Sequence, residues 1–138
     1  MVGSEATIDW PDEVRVRGRR AAAAGIHVHL GPQETEWAVL TLLLVEAPPP
    51  RPPLVARIVE AVEERYRSPN VPVLADYLRR CETIGRRVTA RLVPIGPGGV
   101  QITGRAANVL TDGALVIETD TGSRIAVRPQ NLGLLERR

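Results

Sequence analysis

The sequence has no lysine and no phenylalanine. All 18 basic residues are arginines. Without lysine the chain cannot form a Schiff base, place a Walker-type lysine on a phosphate, or carry a lysine-linked cofactor. An arginine bias alongside abundant Ala, Gly and Pro is also what GC-rich codons produce. Aromatic residues are limited to Trp10, Trp37, Tyr66 and Tyr77, so a core must be aliphatic. One cysteine, Cys81, excludes an internal disulfide and a multi-cysteine zinc site. The longest apolar run, Ala38 to Val45, is too short to span a membrane. Residues 1–10 lack the apolar centre of a signal peptide. A soluble, cytoplasmic protein is expected.

The chain has 138 residues, 43% of them hydrophobic. That is enough for one ordinary domain or two small ones. Sixteen acids reduce the net charge to +2, without the strong basic excess of a dedicated nucleic-acid binder.

Residues 7–46 read as strands. Val14 to Val16 runs into a turn at Arg17-Gly18-Arg19. From Ala24 to Leu30 the chain alternates, with Ile26, Val28 and Leu30 on one face and His27 and His29 on the other. Glu36 to Val45 is almost continuously apolar, the pattern of a strand buried on both faces. The run "EAPPPRPP" breaks the strand region, and Pro53 suits a helix start. Leu54 to Arg67 follows a helical period through Val55, Ile58, Val59, Val62 and Tyr66, and Glu63 is placed to pair with Arg67. After "SPNVP", a shorter helix carries Leu74, Tyr77, Leu78 and Cys81 on one stripe, where Cys81 reads as a buried structural thiol. Beyond residue 84 the period changes to two. Five short strands are expected over Arg87–Val93, Ile102–Leu110, Ala114–Thr119, Arg124–Val127 and Leu132–Leu135. Tight turns such as "IGPGG" join them, and a small closed SH3-like barrel would leave no exposed edge.

The combination of motifs in this order resembles the later part of the biotin protein ligase (holocarboxylase synthetase) family. "IDWPDEVRVRGRR" is similar to the family's K-W-P-N-D-V, glycine turn and G-R-K. "AGIHVHL" is similar to A-G-I-L-x-E, and "WAVLTLLLVEAPPP" stands where the family has G-I-G-I-N-V-N and prolines. "LRRCETIGRRV" is similar to Y-R-x-x-C-x-T-x-G-x-x-V. "GRAANVLTDGALVIETDTG" is similar to the barrel pattern G-x-A-x-x-I-x-x-D-G-x-L-x-V-x-x-x-x-G. The resemblance covers Ile8 to Glu136. It implies an α+β fold: a partial ligase catalytic domain over residues 1–81, with strands in 7–46 and helices at 53–67 and 72–81, then an SH3-like barrel over 82–138.

The resemblance also implies a reaction in which biotin and ATP form biotinyl-adenylate and the acyl group passes to a carrier lysine. Several positions depart from it. Only nine residues precede Trp10, whereas the family's adenylate loop lies before that motif. "RVRGRR" matches the later turn. The family's K-W-P-N-D lysine is Asp9, and its Asn and Asp are Asp12 and Glu13. Anions there would repel a phosphate ester. Adjacent carboxylates on a strand also point apart, against a metal site. The G-R-K lysine falls on Arg20, the candidate catalytic residue, with two extra alanines before Ala24. Trp10, Asp12 and Gly25 occupy positions equivalent to ligand-binding ones. Leucines replace both glycines of G-I-G-I-N-V-N, so a packed pocket is expected. His27 and His29 lack an evident third metal ligand.

These departures point to a truncated, non-catalytic ligase-like protein acting as a binding or dimerisation module. No cofactor is expected, with biotin and ATP as ligands if the site is active. The expected partner is a second copy, through the unpaired edge of Glu36 to Val45. A biotin carrier domain or a full-length ligase are further candidates. One alternative is an active biotin–carboxyl-carrier ligase completed by another chain. Another is an RNA-binding barrel using Arg86, Arg87, Arg91, Arg105 and Arg124, against which stands the absence of aromatics after Tyr77.

Overall fold

The computed structural model describes residues 6–45, 50–68 and 72–138. Glu46 and the start of the proline run, like Pro69 to Val71 of the second break, lie outside the described residues. Two compact units are present. The first comprises residues 1–7 and 12–76; the second comprises 8–11 and 77–138.

The first unit contains most of a sheet of order β1-β2-β3-β4, from β1 (Ala6–Asp9), whose Ile8 and Asp9 belong to the second unit, β2 (Glu13–Val16), β3 (Arg19–Leu30) and β4 (Thr35–Leu44). The expected turn after Val16 is a two-residue hairpin loop. Arg17 and Gly18 have φ of 51° and 74°, and Val16 pairs with Arg19. Both central residues of such a loop need positive φ to match the strand twist, which explains the glycine. β3 and β4 are antiparallel from Ala22↔Leu44 to Leu30↔Thr35. Helix α1 (Arg51–Arg67) starts earlier than Pro53, because Pro52 and Pro53 fall in the first turn, where the missing N–H groups have no helical partner anyway. Glu63 pairs with Arg67 at 3.0 Å, as the sequence predicts.

Glu36 to Val45 is not buried on both faces. Every residue of β4 is exposed, because β4 ends the sheet and α1 stands near its end only across an open cavity. The stripe on α1 is also exposed at Val55, Val59, Val62 and Tyr66. No described residue of the first unit is buried.

Among the described residues, the second unit holds all of the buried core. Helix α2 (Val73–Arg80) leads into it, followed by β5 (Arg87–Leu92), β6 (Gln101–Val109), β7 (Leu115–Thr119), β8 (Arg124–Val127) and β9 (Leu132–Arg137). Val88, Ala90, Ala106, Leu115, Ile117 and Val127 are its inner residues, and Cys81 is buried as expected. The strand order is β8-β7-β6-β5-β9. The expected closed barrel is not found: no pairing joins β8 to β9 among the described residues. After the four-residue β8, a 3-10 turn at Pro129–Asn131 carries the chain to the opposite edge, beside β5.

Residues 8–11 are built into this unit. The Glu82 N–H donates to the Ile8 carbonyl at 2.8 Å. The Trp10 N–H donates to Thr83 Oγ1 at 2.9 Å, and its indole Nε1 donates to the Gly113 carbonyl at 2.9 Å. Tyr77 Oη donates to the Pro11 carbonyl at 3.2 Å. Trp10 is 3% exposed. No described helix is long and apolar enough to cross a membrane.

On the surface of this unit Arg87 grips Asp120 with both guanidinium nitrogens, one bond measuring 2.8 Å. The hydrogen bond from Arg87, then its charge, holds the Asp120 carboxyl below the usual carboxylate value. A depressed folded-state value stabilises the fold above the unfolded value and loses that contribution as pH falls through the folded one. Asp120→Asn should therefore lower stability near neutral pH, with the difference from wild type shrinking as pH falls through and below the ordinary carboxylate range. Urea titrations across that range check this, and added salt should shrink the difference.

Candidate functional site

The positions that the sequence singles out fall in both units. In the first unit, the β2–β3 hairpin brings Glu13 and Arg20 together. Arg20 Nη2 donates to Glu13 Oε1, and Arg15 Nη2 approaches Glu13 Oε2 at 3.5 Å. Arg15 also donates to the Gly18 carbonyl at 3.2 Å. A β-bulge leaves Ala21 unpaired between Ala22, opposite Val14, and Arg20, opposite Arg15. It absorbs one of the extra alanines before Ala24. The candidate cation thus comes with its own counter-ion, and an incoming phosphate would have to displace Glu13.

Asp12 precedes β2 and is exposed, and its carbonyl accepts from the Ala24 N–H at 2.9 Å. Gly25 lies opposite Thr41, and a methyl group added to it would meet nothing within 4 Å. Its own chain's packing does not require a glycine there. Trp10 belongs to the second unit, where its backbone and indole N–H groups are both used internally.

Asp9 has a structural partner that sequence reasoning missed. It is 4% exposed. Its Oδ1 accepts from Thr83 Oγ1 at 2.7 Å, and its Oδ2 pairs with Arg137 Nη2. Arg137 Nη1 donates to Glu82 Oε1 at 3.2 Å. The acid that reverses the family's lysine is therefore tied into a network with Thr83, Arg137 and Glu82. No local pattern reveals it, because its members come from distant parts of the chain.

The histidines lie on one face of β3. His29 stacks on Trp37, with ring centroids 5.0 Å apart and planes 5° from parallel; His27 is tilted against the same ring at 5.8 Å. His29 Nε2 lies 3.5 Å from Glu36 Oε2. No group of three or more His, Cys, Asp or Glu side chains could hold a metal among the described residues.

Paired residues on antiparallel strands point to the same side. One side of β3–β4 thus carries Ala22, Ala24, Ile26 and Val28 beside Leu44, Leu42, Leu40 and Ala38. No charge interrupts this side. Ile26 is 70% exposed, and the side continues to Leu30 at 73%. The other side carries Gly25, His27 and His29 beside Thr41, Val39 and Trp37. The leucines replacing the glycines do not pack a pocket closed. Leu42, Leu43 and Leu44, with Arg51, Leu54, Val55 and Ile58 of α1, line an open cavity of about 460 Å³. The signal for this bare surface was present in the sequence, as an alternating strand followed by a wholly apolar one.

The second unit's arginines are occupied by acids or carbonyls at several positions. Arg91 pairs with Glu136 at 3.2 Å, and Arg86 Nε donates to the Glu82 carbonyl at 2.9 Å.

Comparison with known proteins fits this architecture. No family model matches the chain. The biotin–[acetyl-CoA-carboxylase] ligase of Mycobacterium tuberculosis is 30% identical over 141 residues, covering 90% of this chain and 51% of that protein. The apo structure of biotin protein ligase from Aquifex aeolicus matches 96% of this chain and 66% of its own, with a TM-score of 0.65 at 14% identity. The same ligase in complex with biotin and ATP matches equally well, with 62% of its chain covered. At that identity the structures show the fold alone: two mostly antiparallel sheets with two helices, as in the later part of a biotin ligase. With the sequence match, they define the class. The chain belongs to the biotin protein ligase family, corresponding to its C-terminal half. It spans about half the length of the curated relative that it matches.

Proposed function

We propose that this chain is a non-catalytic, biotin-ligase-like binding module that associates through its first unit, with a second copy as the expected partner. The observation that carries the non-catalytic reading is the charge arrangement. Arg20, at the family's lysine position, is paired with Glu13. Asp9, at the other lysine position, is held by Arg137 and Thr83. Stabilising an adenylate needs preorganised donors aimed at its phosphate, and these positions offer a compensated cation and a buried anion. The association reading rests on the unburied sheet and helix of the first unit. A biotin carrier domain or a full-length ligase are further candidate partners. The finer reading of the second unit as an SH3-like barrel draws on its meander, in which the last strand returns beside the first.

Titration calorimetry with biotin, ATP and biotinyl-adenylate should give no heat of binding. Heat with biotinyl-adenylate, or biotin-dependent pyrophosphate exchange by the chain alone, would refute this function.

A second reading is an active ligase subunit completed by another chain. It is favoured by the match to half of a ligase and by the absence of buried residues among those described in the first unit. Appearance of pyrophosphate exchange only on mixing with a partner would establish it.

A further inference from the structure

The second unit carries two opposite charges that the fold brings side by side without joining them. Arg105 of β6 and Glu118 of β7 are register partners. Side chains so placed point to the same side of a sheet, and opposite charges there ordinarily pair. Among the described residues, neither Arg105 nor Glu118 has a hydrogen bond or ion pair through its side chain. Their other neighbours do not account for them. Arg87, opposite Arg105 on β5, already holds Asp120. Arg124, opposite Glu118 on β8, forms no pair with it.

The two charges border one cavity. Ile84, Gly85, Arg105, Ala106, Ala107 and Glu118 line an open hollow of about 220 Å³. Gly85 forms its flank on the β5 side, where its N–H donates to the Ala106 carbonyl at 2.9 Å or less, measuring 2.8 Å. Its φ of 85° favours glycine, and a Cβ there would stand 3.9 Å from Arg105 Nη2. The guanidinium therefore reaches toward Gly85, while Glu118 rises from β7 on the opposite flank. Between them β6 contributes only Ala106 and the bulged Ala107, so no large side chain fills the gap.

We propose that this hollow binds a small zwitterion, an α-amino acid with an uncharged side chain, its carboxylate on Arg105 and its ammonium on Glu118. A ligand with a single charge would leave one of the two residues unmatched; a zwitterion satisfies both. The arginine fork suits a carboxylate, which can accept from two of its N–H groups. Ile84, Ala106 and Ala107 offer apolar contact to a short side chain and no further charge. The volume lies below the about 300–1,000 Å³ of pockets for larger ligands. The site lies wholly in the second unit and does not depend on the association proposed above.

Titrating L-alanine into the full chain, followed by amide NMR, tests the site. The Gly85 and Ala107 amides should shift and saturate. Exposed ion pairs each contribute little, so a dissociation constant of about 1 mM is expected. N-acetyl-L-alanine lacks the ammonium and L-alaninamide lacks the carboxylate; each should bind at least about tenfold more weakly. Arg105→Gln and Glu118→Gln should weaken L-alanine by a similar factor, and Arg124→Gln should not. The amide spectrum of the core strands reports whether each variant is folded, and the two blocked amino acids need no variant. Shifts that grow without saturating well past that concentration overturn the site. Equal binding of N-acetyl-L-alanine, or full-strength binding by Glu118→Gln, overturns the zwitterion and leaves an anion held by Arg105 alone. Binding that neither glutamine variant weakens places the amino acid elsewhere and also overturns the proposal.

Discussion

Arg137→Met is expected to cost the second unit about 3–5 kcal/mol, the usual loss when one partner of a buried ion pair is removed. The Asp9 carboxylate that it abandons is nearly sealed from water. Thr83 Oγ1 still donates to it, but a hydroxyl carries no charge to replace that of the guanidinium. The companion variant distinguishes a buried charge from lost packing. Adding Asp9→Asn in the Arg137→Met background should recover part of the loss, because the buried carboxylate that lost its guanidinium is no longer charged. Urea unfolding followed by Trp10 fluorescence measures both. A loss below about 1 kcal/mol would mean that the pair behaves as an exposed one, and the structural role assigned to Asp9 would fail.

The other large effect is at Gly104, in the β6 strand of the "GRAANVL" motif. A Cβ at this position would collide with the Glu118 carbonyl oxygen and stand 2.9 Å from a methyl group of Ile117. Both belong to β7, which pairs with β6 through Gly104↔Thr119 and Ala106↔Ile117. Backbone must move to admit even alanine. Gly104→Ala should therefore destabilise by roughly 3 kcal/mol or more, the scale of overpacking against backbone. Gly98→Ala is the control, since a methyl there meets nothing within 4 Å. It should change stability by less than about 0.5 kcal/mol. Equal effects of the two substitutions in thermal or urea unfolding would refute the close approach.

Local structure was largely legible in the sequence. The β8 strand falls at Arg124–Val127 as the alternation and flanking turns predict, and the Arg17-Gly18 turn, the Glu63–Arg67 pair and the burial of Cys81 follow from spacing alone. Burial of β4 was misread for a physical reason. A continuous apolar run records that a strand prefers to be covered; it does not record whether the covering layer is in the same chain. The closed barrel was overcalled because closure is a pairing between β8 and β9, and nothing within either strand encodes it. At the candidate site, sequence located Arg20 and Asp9 but not their partners. Glu13 was reachable through the hairpin register. Arg137 was not, because an ion pair between the ends of a long chain leaves no periodic trace.

The division of the chain has one more consequence. Residues 8–11 and 77–138 make one unit, so residues 12–76 are, in chain order, an insertion within it. The Trp10–Gly113 hydrogen bond spans a separation of 103 positions, and fold completion by such distant contacts is slow. The entropy of closing the intervening loop rises only with the logarithm of its length. Residues 12–76 are then tethered at both ends to a unit that has its own core. Amide hydrogen exchange should therefore be faster in residues 12–76 than in the strands that hold the core.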